Sequence, residues 1–238
     1  MFFPHLMNIR RDDLVLEIGP GAYPHWRSDC LADKFDNDPA TDVSQFGGLP
    51  QQTMGKPLFR MDGATIPFRD KSFDYIICSH VLEHVPHREL PRFTAEIMRV
   101  AGRAYIEFPR PIYDFIYDFD VHLNLMEIVG GQIVCLPKEL TRLKDVRRFT
   151  RYALELRTRR GFAVETAGPS VVAVGCEFLG SIPLRVCGDE EEFFRLIAGE
   201  AHEIGRPTLA WKIADRGRRA LHGMMAKKGR EYFEGLQA

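Results

Sequence analysis

A short apolar run that stops at two closely spaced glycines constrains this chain more than any other feature. Residues 14–18 (LVLEI) end at Gly19-Pro20-Gly21, the pattern of a buried parallel strand entering a glycine turn. Further apolar runs at 30–32, 58–61, 73–78 and 104–108 each end near a polar residue or a proline. Between the last two, residues 90–100 place Leu90, Phe93, Ile97 and Val100 at helical spacing, with Pro91 tolerable because it falls in the first turn. Strands alternating with helices predict an α/β fold built on a mostly parallel sheet.

Beyond residue 109 the pattern changes. Residues 125–136 hold Gly130-Gly131 between two apolar halves, which predicts a β-hairpin inserted after the fifth strand. A helix over 145–160 closed by Gly161, strands at 162–166 and 171–179, and a helical tail over 208–236 complete the reading. At 238 residues the chain suits one domain. Its core would be 11–109 with 162–182, its cap 110–160 and its C-terminal tail 189–238. No apolar run approaches the roughly 20 residues that span a bilayer, and the first residues lack a secretory pattern, so a cytoplasmic protein is expected. The five cysteines show no C-x-x-C spacing, so they predict neither a disulfide framework nor a cysteine zinc site.

VLEIGPG, LADKFD, MDGATIPFRDKSFDYIICSHVLEHV and RAYIEFP, in that order, resemble the class I S-adenosylmethionine-dependent methyltransferases, most closely their small-molecule branch. The resemblance covers about residues 14–109. It implies a Rossmann-like three-layer α/β sandwich with a seven-stranded sheet, the last strand antiparallel. It also implies a site for S-adenosylmethionine and its product S-adenosylhomocysteine at the carboxyl ends of the strands.

Gly19 and Gly21 would let the backbone turn and approach the ligand. Glu17 resembles the acid that orients the donor's methionine portion, and Asp33, preferred over Asp29 and Asp36, the acid that accepts from both ribose hydroxyls. Asp62 resembles the residue that receives the adenine amine, with Gly63 allowing close approach. Ser79 and His80 would line the cleft beneath the sulfonium. Asp74 would fix the start of the fourth strand. One departure stands out: only eleven residues separate Gly21 from Asp33, where the nucleotide-binding arrangement places a full helix. The first helix is therefore expected to be missing or reduced to a turn presenting Tyr23, His25 or Trp26.

His80-Val81-Leu82-Glu83-His84 also matches H-x-x-E-H, a zinc-protease pattern. Because V-L-E-H already belongs to the methyltransferase pattern, no metal is expected, and His84 is read as a buried histidine bonded to a loop. A proton acceptor for the reaction is sought in His80 or His122, since a histidine titrates near neutrality. The alternating aromatic and acidic residues from Tyr113 to Asp120 predict a half-buried strand or a pocket wall, and Arg110, Arg147, Arg148 and Arg151 are candidates for holding an anionic group. The leading reading is methyl transfer to a small-molecule oxygen or nitrogen acceptor, a sugar or secondary metabolite. A nucleic-acid methyltransferase is the alternative, resting on basic stretches at 138–160 and 206–230. A noncatalytic donor-binding scaffold is a third. Oligomeric state has no signature in the sequence.

Overall fold

The computed structural model describes residues 3–35, 50–143, 168–198 and 204–217. Strands β1 (Val15–Ile18), β2 (Cys30–Asp33), β3 (Leu58–Arg60), β4 (Tyr75–Ser79), β5 (Arg103–Pro109) and β8 (Ala173–Leu179) form one sheet in the order β3-β2-β1-β4-β5-β8. The four pairings among β1 to β5 are parallel, and β8 runs antiparallel to β5. Among the described residues this sheet has six strands, against the seven expected. The expected strand at 162–166 and helix at 145–160 lie outside the described residues, as do Arg147, Arg148 and Arg151.

The chain winds outward from β1 through β2 to β3, then returns to lay β4 on the other side of β1. This reversal opens a crevice at the carboxyl ends of β1 and β4, the place where open α/β sheets take ligands. No α-helix joins β1 to β2. Residues 19–28 are turns, as the short spacing predicted.

Alternation along the strands divides the core between two faces. Leu16, Ile18, Ile76, Cys78, Ala104 and Ile106 pack with helix α1 (Leu90–Val100), whose buried residues Leu90, Phe93, Ile97 and Val100 are those the helical spacing picked out. Val15, Tyr75, Ile77 and Tyr105 face the other way and are covered by Phe3, with Leu6, Met7, Ile9 and Ile204. Asp74 accepts a hydrogen bond from Leu14 N at 2.8 Å, tying the start of β4 to β1.

The hairpin is present: β6 (Asn124–Val129) and β7 (Gln132–Pro137) pair antiparallel around Gly130-Gly131. Strand β9 (Leu184–Val186) joins β7 to make a separate three-stranded sheet. Helix α3 (Glu190–Ile197) buries Phe193 against the same layer. Two segments differ from the sequence reading. The first part of the aromatic-acidic alternation, residues 113–117, belongs to a helix, α2 (Pro111–Tyr117), with Pro111 in its first turn and Pro111, Asp114 and Tyr117 buried at three-residue intervals. Residues 171–172, the start of the strand expected at 171–179, belong to a helical turn over 169–172 before β8. In the tail, residues 209–217 are helical, and the rest of the predicted helix lies outside the described residues. No helix among the described residues is long and apolar enough to cross a membrane.

Candidate active site

The crevice is a cavity of about 540 Å³ whose wall includes Glu17, Gly19, Gly21, Asp33, Asp62, Gly63, Ser79 and His80. Every residue picked from the sequence as a donor contact therefore reaches one space, although they come from four different strand ends. His122 does not line it, but its neighbours Val121 and Leu123 do, as does His84.

The backbone explains the glycine turn. Gly19 takes a positive φ of 65°, and a Cβ there would stand 2.3 Å from Val81 Cγ2. Only glycine both adopts that angle at no steric cost and leaves room for the segment after β4. Gly63 has another reason: a Cβ would lie 2.0 Å from the Phe93 ring. Its missing side chain seats Phe93 of α1, which itself lines the cavity.

The carboxylates are held from behind. Asp33, 5% exposed, accepts hydrogen bonds from Phe35 N at 3.0 Å and Gln51 Nε2 at 2.6 Å, and burial pushes its pKa up. A carboxylate has about four acceptor positions, so capacity remains for a diol. Asp62 pairs with Lys34 Nζ at 2.8 Å and accepts from Ala64 N at 2.9 Å, which hold its pKa down. Glu17 accepts from Ser28 Oγ at 2.5 Å and His25 N at 2.7 Å. It thereby pins the turn that stands in for the first helix while its residue lines the cavity, and burial raises its pKa. The carboxylates Glu17, Asp33 and Asp62 between glycine turns, with Met61, Phe93, Val81 and Val85 as apolar walls, suit a ligand carrying a diol, a flat base and an ammonium group.

His80 is the most constrained residue of the site. Its φ of 57° is left-handed, a conformation that a non-glycine residue holds at a cost on the order of 1 kcal/mol only when its surroundings fix it. They do: His80 N donates to Glu107 O at 2.8 Å, Nε2 lies 3.2 Å from Glu107 Oε1 and Nδ1 lies 3.4 Å from Glu83 Oε1. Burial disfavours a charged ring, yet the two carboxylates override it and raise the pKa to about 9. The two carboxylates favour the protonated ring, which suits a fixed cation more than the proton acceptor sought from the sequence.

That shift has a consequence for stability. A raised pKa in the folded state contributes stability that is complete below the unfolded value of 6.5 and lost as pH climbs through about 9. Wild-type protein is therefore expected to lose on the order of 3 kcal/mol between pH 6.5 and 9.5 in urea titrations, with a much smaller loss in His80→Gln. A wild-type curve that stays flat across this range would refute the charge assignment.

Glu107 is the residue that sequence reasoning missed. It is fully buried, and its Oε1 accepts from Ser79 Oγ at 2.8 Å while Oε2 accepts from Tyr105 Oη at 2.6 Å and Phe3 N at 3.1 Å. Burial alone would raise its pKa, but His80 and Tyr105 hold it at about 2. The signal was present: a lone carboxylate in the apolar run 104–108 needs a buried partner.

The H-x-x-E-H reading changes in geometry. Leu82–His84 is a single 3-10 turn, so His80 and His84 do not share an α-helical face. His84 Nδ1 donates to Val121 O at 2.9 Å, the loop bond expected of it, and His122 Nδ1 lies 2.9 Å from Asp114 Oδ2. Arg110 is paired with Glu127 at 2.7 Å, which takes it out of the set of anion-binding candidates.

Residues 32–103, from within β2 to the first residue of β5, match the family model of a methyltransferase domain. No curated protein matches the chain. Similar solved structures include the S-adenosylmethionine-dependent methyltransferase of Mesorhizobium loti, 14% identical over 69% of this chain and 89% of that one, with a TM-score of 0.36. Another is that of Methanosarcina mazei, 21% identical over 54% of this chain and 73% of that one, with a TM-score of 0.35. A third, from Thermotoga maritima, is 14% identical over 43% of this chain and 47% of that one, with a TM-score of 0.32. The chain thus spans about half the length of the Thermotoga protein.

Proposed function

We propose that this chain, a class I S-adenosylmethionine-dependent methyltransferase, methylates an oxygen or nitrogen of a small molecule. The observation that carries the reading is the convergence of the glycine turn, Glu17, Asp33, Asp62 and His80 on one cavity at the strand-order reversal. S-adenosylmethionine supplies a sulfonium-bound methyl group that a nucleophile takes up directly, leaving S-adenosylhomocysteine.

In this reading Asp33 accepts from the ribose hydroxyls, and Asp62 receives the adenine amine between the apolar walls of Met61 and Phe93. Glu17 faces the donor's ammonium group. Ser79 and the His80 imidazolium form the floor and are kept rigid by Glu107. The protein's contribution is mainly orientation, since the methyl group already has a good leaving group and the reacting atoms need to be aligned. The proton of the acceptor passes toward His122, which stands behind the wall formed by His84, Val121 and Leu123 and is oriented by Asp114.

The small-molecule reading rests on the cavity, concave and of a volume that suits a cofactor with a small acceptor. Protein incubated with donor carrying a tritiated methyl group, together with a fractionated metabolite extract or with total RNA, is expected to place label in the low-mass fraction. Label found only in RNA would overturn the acceptor class.

A further inference from the structure

We propose that Glu83, His84 and His122 bind a divalent transition-metal ion of the zinc class at the wall of the cavity. One ligand atom from each lies within 4.8 Å of those of the others. With a Zn–N distance near 2.0–2.1 Å, tetrahedral ligand atoms stand about 3.3 Å apart. Glu83 Oε1 and His84 Nε2 are 3.9 Å apart, so binding would draw them together by roughly half an ångström.

The outer contacts have the form that metal sites use. Histidine ligands commonly donate the second ring N–H to a carboxylate or a backbone carbonyl, which fixes the tautomer. His84 Nδ1 faces Val121 O, and His122 Nδ1 faces Asp114, a carboxylate also held by Lys138 Nζ at 3.2 Å. Both acceptors require an N–H at Nδ1, so in the neutral rings the lone pairs sit on Nε2.

Glu83 supplies the independent observation. It is 1% exposed, neither carboxylate oxygen has a hydrogen bond, and its nearest cation is the His80 ring at 3.4 Å. That ring is shared with Glu107, so the buried Glu83 carboxylate keeps acceptor capacity for a second cation. The segments that carry the ligands are already fixed to each other, because Leu123 N donates to Glu83 O at 2.7 Å and Lys138 Nζ to Phe119 O at 2.6 Å.

Three protein ligands leave a fourth position for water or substrate. His84, Val121 and Leu123 line the cavity, which makes an acceptor hydroxyl or amine the natural occupant. There the ion would act as a Lewis acid in place of a free imidazole. This last role rests on the methyl-transfer reading; the ion site does not.

The test uses full-length protein stripped with a chelator and titrated with Zn²⁺ alone or Co²⁺ alone. One equivalent is expected to bind, with the intense visible bands of tetrahedral cobalt. His122→Phe, which keeps an aromatic ring, is expected to abolish both, and Asp114→Asn to weaken binding by roughly 10- to 100-fold. A folded wild type that takes up no ion, or an affinity unchanged in His122→Phe, overturns the proposal. Titration of the same samples with S-adenosylhomocysteine reports the donor site separately, so the two readings can fail independently.

Discussion

Glu107→Ala is expected to lower the stability of the protein by about 3–5 kcal/mol, the cost of removing one partner from a buried charge pair. One carboxylate satisfies Ser79, Tyr105 and Phe3 N and faces His80 Nε2. Without it the His80 imidazolium keeps only Glu83 as a close anion, while the Tyr105 hydroxyl and the Phe3 amide lose their acceptor. Because whole domains are stable by about 5–15 kcal/mol, the variant would be marginal at room temperature. Urea unfolding with far-ultraviolet circular dichroism measures this, and a loss below about 1 kcal/mol would show that the pair does not organise the core. The sign with acid follows: a pKa held at about 2 contributes stability present above 4.5 and lost as pH falls toward 2. Wild type should soften more over that window than the variant, which keeps the other carboxylates of lowered pKa, Asp62, Glu83 and Glu96.

Asp33→Ala is expected to weaken S-adenosylmethionine binding by roughly 10- to 150-fold, equivalent to about 1.5–3 kcal/mol for charge-assisted bonds to the ribose hydroxyls. Phe35 N and Gln51 Nε2 hold the carboxylate in place, so its geometry is set before any ligand arrives, and little affinity is spent on ordering it. Asp33→Asn separates the two contributions. It keeps the shape and the Phe35 contact and removes the charge, so it should fall between wild type and alanine. Affinity equal to wild type in both variants, with melting temperatures intact, would remove Asp33 from the site.

What the sequence made legible follows from locality. Strand ends marked by Gly19, Asp33, Asp62 and Ser79 are short-range patterns, and a parallel sheet places all of them at one edge, so naming the ends was enough to collect the cavity. Likewise α1 was readable from Leu90, Phe93, Ile97 and Val100, and the hairpin from its glycine pair. The segment around Tyr113 was not readable, because the alternation of aromatic residues with Asp and Ile from Tyr113 to Asp120 fits a period of two as well as a helical turn. The buried set of Pro111, Asp114 and Tyr117 decides between them only once the sheet is present.

The state of His80 was hidden for a different reason. Its partner Glu107 lies on the neighbouring strand, in register with Ser79, and sequence proximity says nothing about that pairing. The same holds for Glu83, His84 and His122, where one ligand arrives from the loop after α2. Glu17 shows a mixed case. The resemblance assigned it to the donor, and the structure adds a second task, holding His25 and Ser28 where a first helix would ordinarily stand.

The most direct test of the account is calorimetric titration of the wild-type protein with S-adenosylmethionine and S-adenosylhomocysteine. The account expects saturable binding of one molecule of each per chain, in the micromolar range typical of a cofactor site. A folded protein that binds neither would contradict it.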